Sequence, residues 1–185
     1  MEQKFSLATK VCSTSLKLKI ENFTEYDECN ITELTSQTVK FEGLDIEWHL
    51  KVLMRAEKIL MFSRDDKYVG FQLVIEDKKP ETSKNVYNKK LFKAEVKLEH
   101  SEHKQTPSPN NHSHHNNHKV HKHLTLNDEP DTKVFDYQEI TDGTKIIHDD
   151  GFCFNAPSYL DGNALVIIVN VWMKTAEVVD SAMKS

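Results

Sequence analysis

Histidine is the residue type in this chain with the clearest capacity for chemistry, because a short central stretch is rich in it. Neutral imidazoles bind Zn, Ni or Cu, so a metal-responsive or regulatory module is one functional hypothesis. Structural zinc sites usually combine fixed ligand spacing with Cys partners, and the stretch has neither. It also contains Pro107, Pro109 and many Asn and Ser, so residues 100–123 are predicted to form a disordered insertion. We assign no metal and no cofactor to these histidines, which are His112, His114, His115, His118, His121 and His123.

A second group of reactive residue types lies near the C-terminal third, where His148 precedes Asp149 and Asp150. Adjacent residues of a turn point in different directions, so a solvated turn is the preferred interpretation of this group. Cys153 has Phe on both sides, and apolar surroundings raise the pKa of a thiol and leave it inert. Since no nucleophile lies beside a base in the sequence, we predict no catalytic residues and a protein that is not an enzyme.

Composition indicates one globular domain that binds neither nucleic acid nor membrane. The chain has 185 residues, 38% of them hydrophobic, and a formal net charge of -5. That acidity argues against a nucleic-acid footprint, and no apolar run approaches the roughly 20 residues of a membrane-spanning helix. The three cysteines are widely spaced and form no CxxC pair, which favours reduced thiols and a cytoplasmic or nuclear location.

Apolar and polar residues alternate along several segments, which is the pattern of half-buried β-strands. Several such strands in one short chain predict an all-β fold, an antiparallel β-sandwich. We expect residues 1–13 to form an N-terminal segment with an edge strand, 14–173 the sandwich, and 174–185 a C-terminal tail with a helical turn or two. The strand candidates are residues 16–22, 37–42, 46–54, 68–76, 90–99, 134–140, 146–147 and 164–172.

The order of these segments resembles the MATH domain, the meprin and TRAF homology fold. The first strand ends in Asn22-Phe23, and a later one begins with Trp48 before alternating apolar residues. Strands similar to those of the family follow at residues 68–74 and 93–98, and the series closes with a polar turn and an apolar strand at residues 159–171. The resemblance covers residues 14–173 apart from the insertion, and it implies an eight-stranded antiparallel sandwich of TRAF-C type.

The resemblance also implies a function, the binding of short extended peptides in a shallow groove. Tyr68 falls where groove-lining members have a Tyr, and Val96 falls where they have a Phe. The family's Trp-Gly-Phe element has its nearest counterpart in residues 142–144, and Phe135 and Tyr137 are expected to replace its aromatic surface. The expected peptide-binding residues are therefore Tyr68, Val96, Phe135 and Tyr137.

The same resemblance implies which partners to expect. Family members serve as adaptors, among them substrate-recognition subunits of ubiquitin ligases, so the expected partners are peptide segments of other proteins and ubiquitin ligase components. No heptad pattern precedes the first confident strand, and no BTB dimerisation domain is recognised. The chain is accordingly expected to be a monomer or a weak dimer at micromolar concentration.

Overall fold

A computed structural model describes residues 5–54, 66–79, 89–100, 131–141 and 143–180. Two four-residue helices, α1 (Glu25–Glu28) and α2 (Ala156–Tyr159), accompany ten strands in these residues. No helix in the described ranges is long and apolar enough to cross a membrane. The strands are β1 (Phe5–Ile20), β2 (Glu33–Thr35), β3 (Val39–Lys40), β4 (Ile46–Met54), β5 (Asp66–Asp77), β6 (Lys89–Leu98), β7 (Thr132–Glu139), β8 (Thr144–Asn155), β9 (Leu160–Asp161) and β10 (Ala164–Asp180).

The strands form two antiparallel sheets, which we call sheet A and sheet B. Sheet A has the order β1-β10-β6-β7, and β9 pairs with β10. Sheet B has the order β2-β4-β5-β8, and β3 pairs with β4. The all-β, antiparallel character expected from the sequence is therefore confirmed. Ten strands rather than eight are described, although β3 and β9 contain only two residues each.

One hydrophobic core lies between the sheets, and the alternation of side chains explains it. Every second residue of β4, from Ile46 to Met54, is buried, and the intervening residues are partly exposed. From Phe92 onward, β6 shows the same alternation in sheet A. Trp48 is fully buried, and its indole Nε1–H donates to the Thr14 hydroxyl oxygen at 2.8 Å. This hydrogen bond joins β4 of sheet B to β1 of sheet A.

The two terminal strands are longer than the sequence pattern predicts. β1 and β10 pair antiparallel without interruption from Phe5↔Asp180 to Ile20↔Leu165. The expected domain boundaries at residues 14 and 173 therefore fall inside paired strands. The helical turn expected after residue 173 is wrong as far as Asp180, because backbone pairing with β1 keeps this segment extended. Residues 181–185 lie outside the described ranges.

The predicted insertion at residues 100–123 lies outside the described residues except for His100. His100 follows β6, and Asp131 precedes β7. The Asp131 carboxylate is bonded to His100 Nε2 at 2.7 Å and accepts a hydrogen bond from the Tyr159 hydroxyl. The rings of His100 and Tyr159 stack with their centroids 4.2 Å apart. These three side chains join the end of β6, the start of β7 and α2.

Candidate functional site

The candidate site lies where the free edges of the two sheets come together. β7 is the last strand of sheet A, and β8 is the last strand of sheet B. Phe135 of β7 pairs with the fully buried Ala94, so its side chain faces the space between the sheets. Its ring meets Phe71 of β5 edge-on at 5.9 Å, and Phe71 stacks on Phe152 of β8, also at 5.9 Å. Phe71 and Phe152 are buried, whereas Phe135 is only partly buried. Phe135 therefore presents this aromatic cluster to the protein surface.

A charged pair borders the aromatic cluster. Lys133 of β7 lies 3.6 Å from the Asp149 carboxylate of β8, and both side chains are about a quarter exposed. The Lys133 ammonium also lies 5.8 Å from the centre of the Phe152 ring, within the distance for a cation–π interaction. Because the pair connects the edge strands of different sheets, Lys133 and Asp149 close the open side of the core beside Phe135.

A bulge in β8 positions two of these residues. Phe71 pairs with Asp149 and Val69 pairs with Phe152, so two residues of β8 lie opposite Gly70. Such a bulge needs a residue that tolerates unusual backbone angles, and Gly151 has a φ of +94°. The Gly151 N–H donates to Asp149 Oδ1 at 2.7 Å. The bulge therefore lets Asp149 and Phe152 face the core side of the same strand.

A second bulge, in β7, separates two residues that the sequence placed together. Ala94 pairs with Phe135 and Phe92 pairs with Gln138, so Asp136 and Tyr137 both lie opposite a single residue of β6. The bulge changes the alternation, and Tyr137 lies on the outer face of sheet A with 45% of its surface exposed. Phe135 and Tyr137 consequently flank the same edge from opposite faces of β7.

The other two expected peptide-binding residues lie elsewhere. Val96 is fully buried within β6, so its expected contact with a peptide is wrong. Its place in the alternation of β6 directs it into the core. Tyr68 is partly buried in β5 and alternates with the buried Val69 and Phe71, so it lies on the outer face of sheet B. The structure does not bring Tyr68 together with Phe135.

Sequence reasoning missed Phe71, Phe152, Lys133 and Asp149 as members of this site. One available signal was the Gly-Phe dipeptide at residues 151–152, which retains two residues of the Trp-Gly-Phe element. The counterpart chosen from the sequence, residues 142–144, leads into β8 instead; there the Gly143 carbonyl accepts the Asp77 N–H at 2.6 Å. No sequence signal marks Lys133 and Asp149, because their proximity depends on how the two sheets pack.

The predicted solvated turn at residues 148–150 is wrong, because these residues lie within β8. His148 lies within hydrogen-bonding distance of Gln72, with 3.3 Å between His148 Nδ1 and Gln72 Nε2. His148 and Asp149 lie on opposite faces of sheet B, so they cannot act together on one substrate atom. The Cys153 side chain lies outside the described part of the structure.

No cluster of three or more His, Cys, Asp or Glu side chains suited to a metal ion occurs among the described residues. His100 and Asp131 lie together, but the third side chain beside them is a tyrosine. Burial and the bond to Asp131 raise the pKa of the Tyr159 hydroxyl, so Tyr159 remains a neutral donor. Burial acts to raise the pKa of Asp131, but hydrogen bonds from Tyr159 and His100 outweigh it and hold the pKa below its ordinary value.

This depressed pKa predicts an acid-dependent contribution to stability. The Asp131 carboxylate is expected to stabilise the fold above its ordinary pKa of about 3.8. This contribution is lost as the pH falls toward the lower folded-state value, because the unfolded chain then binds the proton first. Urea unfolding of the parent and of Asp131→Asn between about pH 6 and pH 3 measures it. The free energy of unfolding should decrease more steeply below about pH 4 in the parent than in the variant, and equal slopes would contradict the expectation.

A separate open pocket of about 490 Å³ lies at the opposite side of the sandwich. Its lining includes Ile20, Tyr26 and Leu34. Two charged lining residues, Lys19 and Glu21, are paired with each other at 3.2 Å. The edge formed by β7 and β8 is the stronger candidate, because it presents the aromatic cluster of Phe135, Phe71 and Phe152.

No protein-family model matches this chain, and no curated protein matches its sequence.

Proposed function

We propose that this chain is a peptide-binding adaptor domain of the MATH type. In this proposal an extended segment of a partner protein adds as a further strand along the free edge of β7. Phe135 carries the proposal, because it is a partly exposed aromatic residue on an edge strand and is supported from behind by buried rings. The ordered MATH-like series in the sequence and the two four-strand paths of the sheets support the same proposal.

Strand addition explains how such an edge gains affinity without a deep cavity. Main-chain N–H and C=O groups of an edge strand can pair with an extended peptide, and side-chain contacts then give specificity. β7 contains no proline, so none of its backbone donors is missing. Among the described residues β7 pairs only with β6, which leaves its other edge for a partner.

Side chains of the added strand would alternate between the two faces of sheet A. Those on the inner side would contact Phe135 and the pair formed by Lys133 and Asp149. Those on the outer side would contact Tyr137 and the exposed Val134. An apolar residue is expected opposite Phe135, because a charged one would lose its hydration beside three phenyl rings.

The proposed role is recognition rather than chemistry. A short peptide that orders on binding pays a large entropic cost, so its affinity is expected to be micromolar, about 8 kcal/mol of binding free energy. Such affinities suit an adaptor that selects partner proteins, as MATH-type ubiquitin ligase adaptors do. Any catalysis would then belong to the partner.

Selection from a random peptide display library tests the proposal with the full chain. Peptides that bind the parent are synthesised, and their dissociation constants are measured against single variants. Phe135→Ala should weaken binding at least about tenfold, because it removes the central aromatic contact. Tyr137→Ala should weaken it only a few-fold, since Tyr137 flanks the edge from the outer face. Ile146→Ala is the matched control, because Ile146 is 56% exposed on β8 but lies on the outer face of sheet B.

Phe135 also packs on Phe71, so a loss of binding could follow from a loss of folding. Circular dichroism of each variant controls for this, and hydrogen exchange on the parent gives an independent measurement. Bound peptide should slow amide exchange along residues 132–139 more than along residues 5–20. A selected peptide that protects another strand and binds Phe135→Ala as tightly as the parent would refute the proposed site.

A further inference from the structure

The opposite edge of sheet A carries features that the peptide-binding proposal does not use. β1 forms this edge, contains 16 residues and pairs only with β10 within the described ranges. Long edge strands are templates for pairing with another chain unless charges, prolines or bulges protect them. β1 contains no proline, and its pairing with β10 is free of bulges. In its first nine residues the only charged side chain is Lys10.

The same part of β1 exposes apolar side chains. Leu7 is 65% exposed and Val11 is 57% exposed, the two highest values among the exposed large hydrophobic residues. Leu16 and Ile20 are buried at even-numbered positions of β1. Leu7 and Val11 occupy odd-numbered positions, so both lie on the outer face of the sheet. When two copies of a strand pair antiparallel about a point midway between two such residues, each residue lies opposite the other residue of the second copy.

We propose that two copies of this chain associate through antiparallel pairing of their β1 strands, with the two-fold axis at Thr9. In this register Leu7 of each copy lies opposite Val11 of the other copy. Nine residues of each strand, 5–13, are then paired. The two copies of sheet A become one continuous sheet, because the two paths β1-β10-β6-β7 meet at their β1 strands.

Charge selects this register over the next one along the strand. With the axis at Thr9, Lys10 lies opposite Ala8, and Lys17 and Lys19 fall beyond the paired segment. With the axis at Lys10, the two lysines would lie directly opposite each other, and like charges at such positions are destabilising. An axis perpendicular to the sheet also keeps odd-numbered residues of both copies on the same face, which a continuous sheet requires.

Self-complementarity favours a second copy over an unrelated strand. In an isologous interface every contact occurs twice, related by the two-fold axis. Leu7 of each copy contacts Val11 of the other copy, so this pair satisfies the requirement. The arrangement is a dimer, one of the two oligomeric states expected from the sequence. It leaves β7 at the two outer edges of the continuous sheet, so dimerisation and peptide binding use different surfaces and can fail independently.

Sedimentation equilibrium of the full chain over a range of concentrations tests the association. The parent should be a dimer that dissociates on dilution. Leu7→Lys/Val11→Lys places lysine opposite lysine at both symmetry-related positions, and it should raise the dissociation constant at least about tenfold. Leu7→Lys/Val11→Glu places lysine opposite glutamate and should restore most of the association. Val134→Lys, an exposed apolar position on the other edge of sheet A, is the matched control and should not change it.

Disulfide formation under air oxidation tests the register. In the proposed pairing residue 9 lies opposite itself, within the Cα separation that a disulfide permits. Thr9→Cys should therefore form a cross-linked dimer readily. Ser13→Cys should form little more cross-linked dimer than the parent, because residue 13 lies opposite residue 5 and far from its own copy. The native Cys12 thiol gives little background, since burial raises its pKa. A parent that remains monomeric at every concentration tested would overturn the proposal, as would a dimer that Leu7→Lys/Val11→Lys leaves intact.

Discussion

Gly151→Ala is expected to destabilise the fold by more than about 3 kcal/mol, the range reserved for strained or clashing backbone positions. A Cβ atom at residue 151 would lie 1.8 Å from the Val69 carbonyl oxygen and 2.6 Å from the Gly70 Cα. Both contacts are with backbone, so no side-chain rotation can relieve them. Gly151 also has a φ of +94°, in the region that residues with a Cβ rarely adopt.

Gly162→Ala provides the matched control for this prediction. Gly162 also has a positive φ, +67°, but a Cβ there would meet nothing within 4 Å. Its substitution should cost only the conformational strain, about 1 kcal/mol. Urea denaturation followed by circular dichroism measures both free energies of unfolding. The close approach of β8 to β5 would be contradicted if Gly151→Ala cost no more than Gly162→Ala.

Gly151→Ala also bears on the proposed peptide site. The bulge at Gly151 is what allows both Asp149 and Phe152 to face the core side of β8. If the variant folds at low temperature, Phe152 should be displaced from Phe71 and the selected peptides should bind more weakly. Gly162→Ala should bind the peptides as the parent does, because Gly162 directly precedes β10, and β6 separates β10 from β7 in the sheet.

The strands themselves could be predicted from sequence because local alternation directly reports which residues share a face. The segment 46–54 is predicted with its bounds, because its alternation continues from Ile46 to Met54. The connection before it contains Gly43, whose φ of +73° suits a tight turn. The apolar segment at residues 164–172 is likewise predicted as a strand, and it lies within β10, between β1 and β6.

The candidate site was harder to predict, because it depends on departures from alternation. The bulge opposite Lys93 sends Phe135 and Tyr137 to opposite faces of β7, although residues two apart normally share a face. Val96 illustrates the opposite case. Alternation with Phe92 and Leu98 placed it on the buried face of its strand, and that pattern alone argued against a peptide contact.

Contacts between the sheets were also beyond prediction from local pattern. Lys133 and Asp149 meet only because β7 and β8 end different sheets on the same side of the core. The continuous pairing of Phe5 with Asp180 is another long-range fact, because neither terminal segment has a strong pattern by itself. When two strands from opposite ends of the chain pair, no local sequence pattern indicates which residues lie opposite each other.

Trp48→Ala is expected to cost about 3–5 kcal/mol, the range for removing a large aromatic side chain from a core. Trp48 is fully buried, and it is among the largest fully buried side chains. The substitution would leave a cavity between the sheets and remove the indole hydrogen bond to Thr14. Trp172→Ala is the matched control, because Trp172 alternates with the buried core residues of β10 and is partly exposed. Urea unfolding that gave equal losses for the two variants would remove Trp48 from the centre of the core.

The hydrogen bond from Trp48 can be separated from its packing with a second pair of variants. Thr14→Val keeps the volume at residue 14 but leaves the buried indole N–H without its acceptor, at a cost of about 1–3 kcal/mol. In a Trp48→Phe background there is no indole N–H, so Thr14→Val should then be nearly neutral. This non-additivity would show that a polar contact joins the two sheets through Trp48. Additive losses would instead mean that Thr14 contributes independently of the indole, and that Trp48 stabilises the sandwich by packing alone.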